Sequence, residues 1–480
     1  MSKHDYDIGI IGGGAAGLTV SSGAAQLGAK TLLIEKEPSL GGDCLHFGCV
    51  PSKTLIHSAK VYHSMKQGEL LGLPKIVPPD IDFSQIAKRI QSVIDVIQVH
   101  DSVERFNKLG VEVKFGTPCF VDEHVVTLGS ERISAKAWVI ATGSSPAPPR
   151  ISILNNISYI TNKEIFSLER LPQSMIVLGA GPIAIEMAQA FCRLGTEVTV
   201  IQRSAQILSK EDKDMADEVM DTLAGEGIKF FLEATITEAE ESGNSKNITI
   251  QQGEEIRRLT ADIVLLAQGR SPNIDDLGLQ AIDLNHTPRG IVVDNRMRTS
   301  HKHIYAPGDI NGAFQFTHAA GYEGGIVVSN AIFHLPRKVN TKWMPWCTYT
   351  EPELASIGMN EKQATKAGID YSVWTEHFKE NDRALTEGET RGKLKMLLDK
   401  KERPIGVQIL GPRAGDLIGE WVAVLGSGMK LSSLAGTIHP YPTLAEINKR
   451  VAGSFVSPKI FSPTVKKALK LIFRLQANSS

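Results

Sequence analysis

Two glycine-rich turns, each set between a short apolar strand and a helix, predict an α/β chain with two Rossmann-like folds. The first is "YDIGIIGGGAAG", in which Gly12, Gly14 and Gly17 make G-x-G-x-x-G. The second is "SMIVLGAGPIAIE", in which Gly179, Gly181 and Ala184 repeat the spacing. A length of 480 residues leaves room for about three domains.

Each part of the first turn has a physical task. Gly12 permits the tight bend, Gly14 lets backbone N–H groups approach a pyrophosphate, and Gly17 lets helix and strand pack closely. The helix N-terminus favours the anion. The next strand, "AKTLLIE", ends in Glu35, an acid placed to accept hydrogen bonds from a ribose. The second turn leads into "TEVTVIQRS", which ends in Gln202 and Arg203 with no acid. Arginine suits a 2′-phosphate, so the second site leans toward NADP(H) over NAD(H). Two such folds in one chain imply two dinucleotides, a flavin one and a nicotinamide one.

Composition narrows the field. The net charge of −1 gives no electrostatic reason to expect nucleic acid. Five cysteines (Cys44, Cys49, Cys119, Cys192 and Cys347) are too sparse and too odd for a secreted disulfide framework, which points to a reducing, cytoplasmic setting. Residues 8 to 29 carry no charge, yet their glycines weaken a helix, and Asp5 and Asp7 precede them where a signal peptide would be basic. Neither a spanning helix nor a leader is expected there.

The stretch "GGDCLHFGCVPSK" sets Cys44 and Cys49 five positions apart. A regular helix holds such Cα atoms ~8.6 Å apart, whereas a disulfide needs less than about 7 Å. Gly48 and Pro51 loosen the helix start, so an irregular turn can bring the sulfurs together. Three readings stand: a redox-active pair, a metal site and inert thiols. A zinc site is disfavoured because no second Cys or His pair follows at finger spacing, and no metal site is expected.

Further segments complete a pattern: "ATGSSP", "LLAQGRSPN", "IYAPGD" and "YTEPELASIGMNE". With "GGGAAG", "GGDCLHFGCVPSK" and "GAGPIAIE", they make the chain resemble, over nearly its full length, the flavin-dependent pyridine nucleotide–disulfide oxidoreductases. That family includes dihydrolipoyl dehydrogenase, glutathione reductase and mercuric reductase. The resemblance implies an FAD domain at 1–147 and 276–344, an NAD(P)H domain at 148–275, and an α+β dimerisation domain at 345–480 that makes a homodimer. It implies FAD contacts at Gly42, Lys53, Thr142, Gly143, Asp309, Thr317 and His318, with Asp309 on the ribityl chain. Gly269 falls to the nicotinamide side. Electrons would pass from NADPH, or less readily NADH, to FAD and then to a Cys44–Cys49 disulfide. Cys49 would be the thiolate facing the flavin, Cys44 the thiol that meets substrate, and Lys53 a cation beside the flavin paired with Glu186.

One departure from the family is informative. Its disulfide reductases carry "HxHPTxxE", whose second histidine is a general base supplied to the other subunit. This chain reads "HPYPTLAE", with His439 at the first histidine, Tyr441 at the base and Glu446 at the acid. A tyrosine with a pKa near 10 is a poor base at neutral pH. Tyrosine there resembles the mercuric reductase branch, although no cysteine follows Cys347 to supply that branch's terminal pair. The expected acceptor is a small disulfide or a soft metal, with a quinone or oxygen, or dihydrolipoyl dehydrogenase activity, as alternatives.

Two helices remain. Residues 83–110 have helical apolar spacing throughout. Residues 464–476 combine Val465, Leu469, Leu471, Ile472 and Leu475 with Lys466, Lys467, Lys470 and Arg474. That composition fits a basic amphipathic helix in weak contact with a membrane surface, or one docked on its own domain.

Overall fold

The computed structural model describes residues 4–477, with side chains to Phe473. Its contacts divide the chain into two compact units. The first comprises residues 1–65, 77–205 and 228–340, and the second 66–76, 206–227 and 341–480.

In the first unit the uncharged run from 8 to 29 splits into strand β1 (Tyr6–Ile11), a turn and helix α1 (Ala15–Gln26). Strand β2 (Thr31–Glu35) and β3 (Val111–Phe115) lie parallel on one side of β1. On its other side lies β6 (Glu131–Ile140), also parallel, with β5 (Val125–Leu128) and β4 (Pro118–Asp122) antiparallel beyond it. A short strand, Ile304–Tyr305, pairs parallel with β6. Ile8, Ile10 and Ile11 of β1 and Leu32, Leu33 and Ile34 of β2 are buried on both faces of this sheet. Gly9 interrupts β1 for a steric reason: a Cβ there would strike the ring of Trp138, which is fully buried on β6.

A second parallel sheet orders Lys229–Phe231, Glu197–Ile201, Ser174–Leu178 and Ile263–Leu266. A three-stranded antiparallel sheet over residues 234–261 accompanies it.

The segment 83–110 is helical, as its spacing implies, but in more than one piece. Helix α4 (Phe83–Gln98) tightens into a 3₁₀ turn at Val99–Asp101, and Ser102 then caps a new helix, Val103–Lys108, by accepting from the Arg105 N–H. Serine's affinity for the N-cap position overrides the apolar periodicity.

The second unit is built on a five-stranded antiparallel sheet. Its order is Pro345–Thr348, Glu353–Gly358, Pro404–Gly411, Lys393–Asp399 and Tyr371–His377. Trp421, from helix Ala414–Ser427, is fully buried in the same core as Phe378, Met396 and Ile409. Each such side chain contributes roughly 1.5–3 kcal/mol on burial. Within this unit Lys395 is buried among Asp212, Asp214 and Glu361, with Nζ–O distances of 2.9, 2.8 and 2.5 Å. Among the described side chains of the terminal helix Pro463–Ala477, Pro463 through Phe473 are all exposed, which does not fit the docked alternative. The side chains of Arg474 and Leu475 lie outside the described residues. Among the described residues no helix is long and apolar enough to cross a membrane.

Candidate active site

The two cysteines sit on either side of a helix break. Cys44 lies on the short helix α2 (Gly42–His46) and Cys49 opens α3 (Cys49–Lys66). Gly48 makes the break close-packed, because a Cβ there would lie 2.9 Å from the Asp43 carbonyl and 3.0 Å from the Cys44 Cα. Asn162 braces the loop by donating to Phe47 O at 2.8 Å and Asp43 Oδ1 at 3.3 Å. The sequence reading that only an irregular helix start brings the sulfurs together matches this geometry.

Both cysteines are thiols, and Cys44 hydrogen-bonds to Cys49. That donated S–H lowers the Cys49 pKa to about 6, helped by the Thr317 hydroxyl and the Lys53 charge. Thr317 Oγ1 stands 3.4 Å from Cys49 Sγ at the start of helix Thr317–Ala331. The same hydrogen bond, with burial and the adjacent negative charge, pushes the Cys44 thiol well above the ordinary range. The pair is therefore asymmetric: an accessible Cys49 anion and a Cys44 that keeps its proton.

Lys53 Nζ, one turn further along α3, lies 2.8 Å from Glu186 Oε2. Glu186 is 5% exposed, on helix Pro182–Leu194 directly after the second glycine turn. The pair therefore links the cysteine helix to the second dinucleotide fold.

The glycine turns fit dinucleotides. Gly12 has φ +106°, and a Cβ on Gly17 would collide with the Gly12 carbonyl. Gly42 has φ +62°, and a Cβ there would meet Gly14 Cα at 2.7 Å, so two backbones share one narrow cradle. Glu35, buried at the end of β2, accepts from the N–H groups of Gly13 at 2.6 Å and Glu37 at 2.9 Å. In the second fold Gly179 has φ +108°, whereas a Cβ on Gly181 would meet open space. Arg203 is exposed just beyond strand Glu197–Ile201, and Gly269 has φ +126°.

Asp309 follows Gly308, and burial raises its pKa against the opposing Ser144 hydrogen bond and Arg270 charge. Ser144 Oγ donates to Asp309 Oδ2 at 2.6 Å. Thr142 Oγ1 donates to Asn273 O, and Asn273 returns a bond to Thr142 O, both at 2.8 Å, beside Gly143 at φ +67°. His318 is exposed and stacks on Phe316 with centroids 5.3 Å apart.

Sequence reasoning missed three organising side chains. Arg270 bonds Ser144 Oγ at 2.8 Å and Asp43 Oδ2 at 3.0 Å, joining the cysteine loop to the Asp309 region. It directly follows Gly269 in the "GRSPN" segment, and that adjacency was the available signal. Asn162 carried no signal at all. Glu323, 1% exposed, accepts from the Gly308 N–H at 2.7 Å, and an acid within the apolar "GYEGGIVV" helix marked it.

His439, Tyr441 and Glu446 belong to the second unit and take separate partners. His439 Nε2 lies 2.9 Å from Glu420 Oε1 and Nδ1 3.3 Å from Thr437 Oγ1. Tyr441 is 70% exposed and donates to Asp382 Oδ2 at 2.8 Å, which raises its pKa. Glu446, expected as the acid partner of the base position, instead accepts from the Thr443 N–H at 3.4 Å.

Known proteins bear on this geometry. Residues 6–324 match the family "Pyridine nucleotide-disulphide oxidoreductase" and residues 344–452 match its dimerisation domain. A mercuric reductase of Staphylococcus aureus is 32% identical over 453 residues, 94% of this chain and 82% of that protein. A dihydrolipoyl dehydrogenase of Geobacillus stearothermophilus is 36% identical over 451 residues, 92% of this chain and 94% of that protein. A solved structure, the Cu(II) complex of the HOCl-induced flavoprotein disulfide reductase RclA from Escherichia coli, superposes with a TM-score of 0.84 at 26% identity. That match covers 94% of this chain and 100% of the other. Members of the family use FAD and NAD(P)H. The chain belongs to the pyridine nucleotide–disulphide oxidoreductases and is a flavoprotein enzyme of that family.

Proposed function

We propose that the enzyme passes electrons from NADPH through FAD to the Cys44–Cys49 pair and on to a soft metal ion, with small disulfides as slower acceptors. In this reading residues 1–147 with 276–344 hold FAD, 148–275 hold the nicotinamide nucleotide, and 345–480 form the dimer. FAD, when bound, supplies two-electron exchange between a nicotinamide and a disulfide; the remaining chemistry belongs to this chain. The Gly12–Gly14–Gly42 cradle and Glu35 grip the flavin dinucleotide, and Asp309 and Lys53 orient it. Arg203 favours the 2′-phosphate of NADPH. Cys49 holds the negative charge facing the flavin, and Lys53, fixed by Glu186, balances it. Cys44 keeps its proton until a substrate displaces it.

Tyr441 carries the choice of acceptor. Reducing a disulfide releases a thiolate that needs a proton, the task of a histidine base in the family. A hydroxyl already donating to Asp382, with its pKa raised, does not perform it. A soft ion binds both sulfurs directly and needs no proton shuttle of this kind. Relatives named mercuric reductase support that class.

Anaerobic titration with NADPH, followed by turnover with Hg(II), small disulfides and quinones, tests the reading. A long-wavelength absorbance band from the Cys49 thiolate is expected at two electrons. Cys44→Ser is expected to cut ion and disulfide turnover by about 100-fold or more while quinone turnover survives. Tyr441→His is expected to raise disulfide turnover alone. Native disulfide turnover matching ion turnover would overturn the assignment, and bleaching without the band would point to quinones or oxygen.

An exposed basic helix favours a second, subsidiary reading: weak contact of residues 464–476 with anionic lipid. Val465, Leu469 and Ile472 are 38%, 42% and 47% exposed beside Lys466, Lys467 and Lys470. Full-length protein is expected to float with anionic liposomes more than a chain ending at residue 463. Equal flotation removes this reading.

A further inference from the structure

Four histidines and a glutamate that play no part in the redox site gather at the opposite end of the first sheet. His4 precedes β1, Glu123 and His124 form the turn between β4 and β5, and His301 and His303 precede strand Ile304–Tyr305. The first glycine turn follows the carboxyl end of β1 and Gly143 follows that of β6, whereas His4 and His303 precede the amino ends of β1 and Ile304–Tyr305. At ~3.3 Å per residue, the six residues of β1 put the cluster about 20 Å from Gly12.

The nitrogens are arranged as ligands. His124 Nδ1 donates to Ala135 O at 3.0 Å, which leaves Nε2 with its lone pair outward. His303 Nε2 donates to Glu123 O at 3.1 Å, which leaves Nδ1 likewise. A metal-binding histidine usually donates its other N–H to a carbonyl or carboxylate, which fixes tautomer and ring direction. The two rings stack with centroids 4.1 Å apart, and one ligand atom from each of Glu123, His124 and His303 lies within 4.8 Å of the others. A bound tetrahedral ion, with bonds of ~2.0–2.1 Å, would draw these atoms to a separation of ~3.3 Å.

The surroundings support the set. His301 Nδ1 stands 2.9 Å from Glu123 Oε2 and its Nε2 2.6 Å from Ile282 O, so both ring nitrogens already face oxygens and His301 is not counted among the ligands. His4 lies beside His124 with centroids 4.8 Å apart and offers a further imidazole. The scaffold is firm: Trp138 donates its Nε1–H to His124 O and its backbone N–H to His303 O, each at 3.0 Å. The acidic group of Asp212, Asp214 and Glu361 differs, because the Lys395 ammonium already occupies it.

We propose that Glu123, His124 and His303 form a binding site for a late first-row divalent ion of the Zn2+ or Cu2+ class, separate from the cysteine pair. Two imidazoles and one carboxylate suit such ions and leave a position for water or His4. The site needs no electron transfer and ties the N-terminus, the β4–β5 turn and the Ile304–Tyr305 strand together.

The test uses the full-length flavoprotein with Cys44→Ser and Cys49→Ser, so that the redox thiols bind nothing. Zn2+ is titrated against a chromogenic chelator, and Cu2+ is added for electron paramagnetic resonance. One Zn2+ per chain is expected, with nitrogen splitting from two imidazoles in the Cu2+ spectrum. Adding His124→Gln and His303→Asn keeps amide donors for the two carbonyls and is expected to weaken Zn2+ binding by more than about 100-fold. Retained flavin absorbance shows that this variant has folded. Unchanged binding in the variant, or a parent that binds no better than the variant, overturns the proposal.

Discussion

The two glycine turns share a motif and differ in enclosure. Around the first, Gly17 rests against the Gly12 carbonyl, Gly42 against Gly14, and Glu35 is buried with its oxygens bound to Gly13 and Glu37. Around the second, Gly179 is similarly constrained by Ala267 O at 2.5 Å, but Gly181 faces open space and Arg203 is exposed. A walled turn suits a resident cofactor, and an open one suits a dinucleotide that arrives and leaves in each cycle. The spacing of the glycines is common to both, so the contrast arises from what packs against them.

The largest expected effect breaks the first turn. Gly17→Ala drives a methyl into backbone that cannot yield, so purified protein should lose most of its flavin absorbance. Full FAD content in that variant would show the cradle to be looser than its contacts imply. Arg203→Ala should come next, lowering the NADPH-to-NADH preference in kcat/KM by about ten- to a hundredfold, the equivalent of about 1.5–3 kcal/mol for a charged hydrogen bond. An unchanged ratio would remove Arg203 from phosphate recognition. Gly181→Ala should be milder, raising KM for NADPH several-fold while FAD content stays whole, since its methyl meets only the incoming pyrophosphate.

The smallest effect concerns the Lys53–Glu186 pair, which connects the two folds. Alkylation of the reduced enzyme should follow the Cys49 thiolate, rising with pH around about 6 instead of the ordinary thiol value near 9. Glu186→Gln removes a negative charge that opposes the thiolate and should lower that midpoint by about one pH unit or less. A midpoint near 9 in the native enzyme would mean that the donated Cys44 hydrogen bond does not hold the thiolate.

Much of this was legible before any coordinates. The turns, the cysteine loop and the acid at the end of β2 are local patterns in which residue type and spacing carry the geometry. The 83–110 helix was legible in its apolar period but not in its break, because Ser102 is an unremarkable letter until its hydroxyl is seen to accept a backbone N–H. Arg270 was close to legible beside Gly269. Asn162 was not, since its value lies in reaching a loop more than a hundred positions away. Tyr441 was legible as a departure from the family, but its bond to Asp382 was not.

By itself the sequence determined the two Rossmann-like turns, the Cys44–Cys49 spacing around a helix break and the tyrosine at 441, because each rests on residues near one another in the chain. The tertiary structure decided which cysteine holds the charge, since a hydrogen bond and a neighbouring hydroxyl from Thr317 set that balance. It also decided that His4, His124 and His303 meet. Parallel pairing sets the starts of β1 and Ile304–Tyr305 against Ala135 and Trp138 of β6, and His124 reaches the same place through Ala135 O, so residues as many as 299 positions apart in the chain gather there. Spacing along the sequence carries no trace of such a meeting, because the register of the sheet creates it.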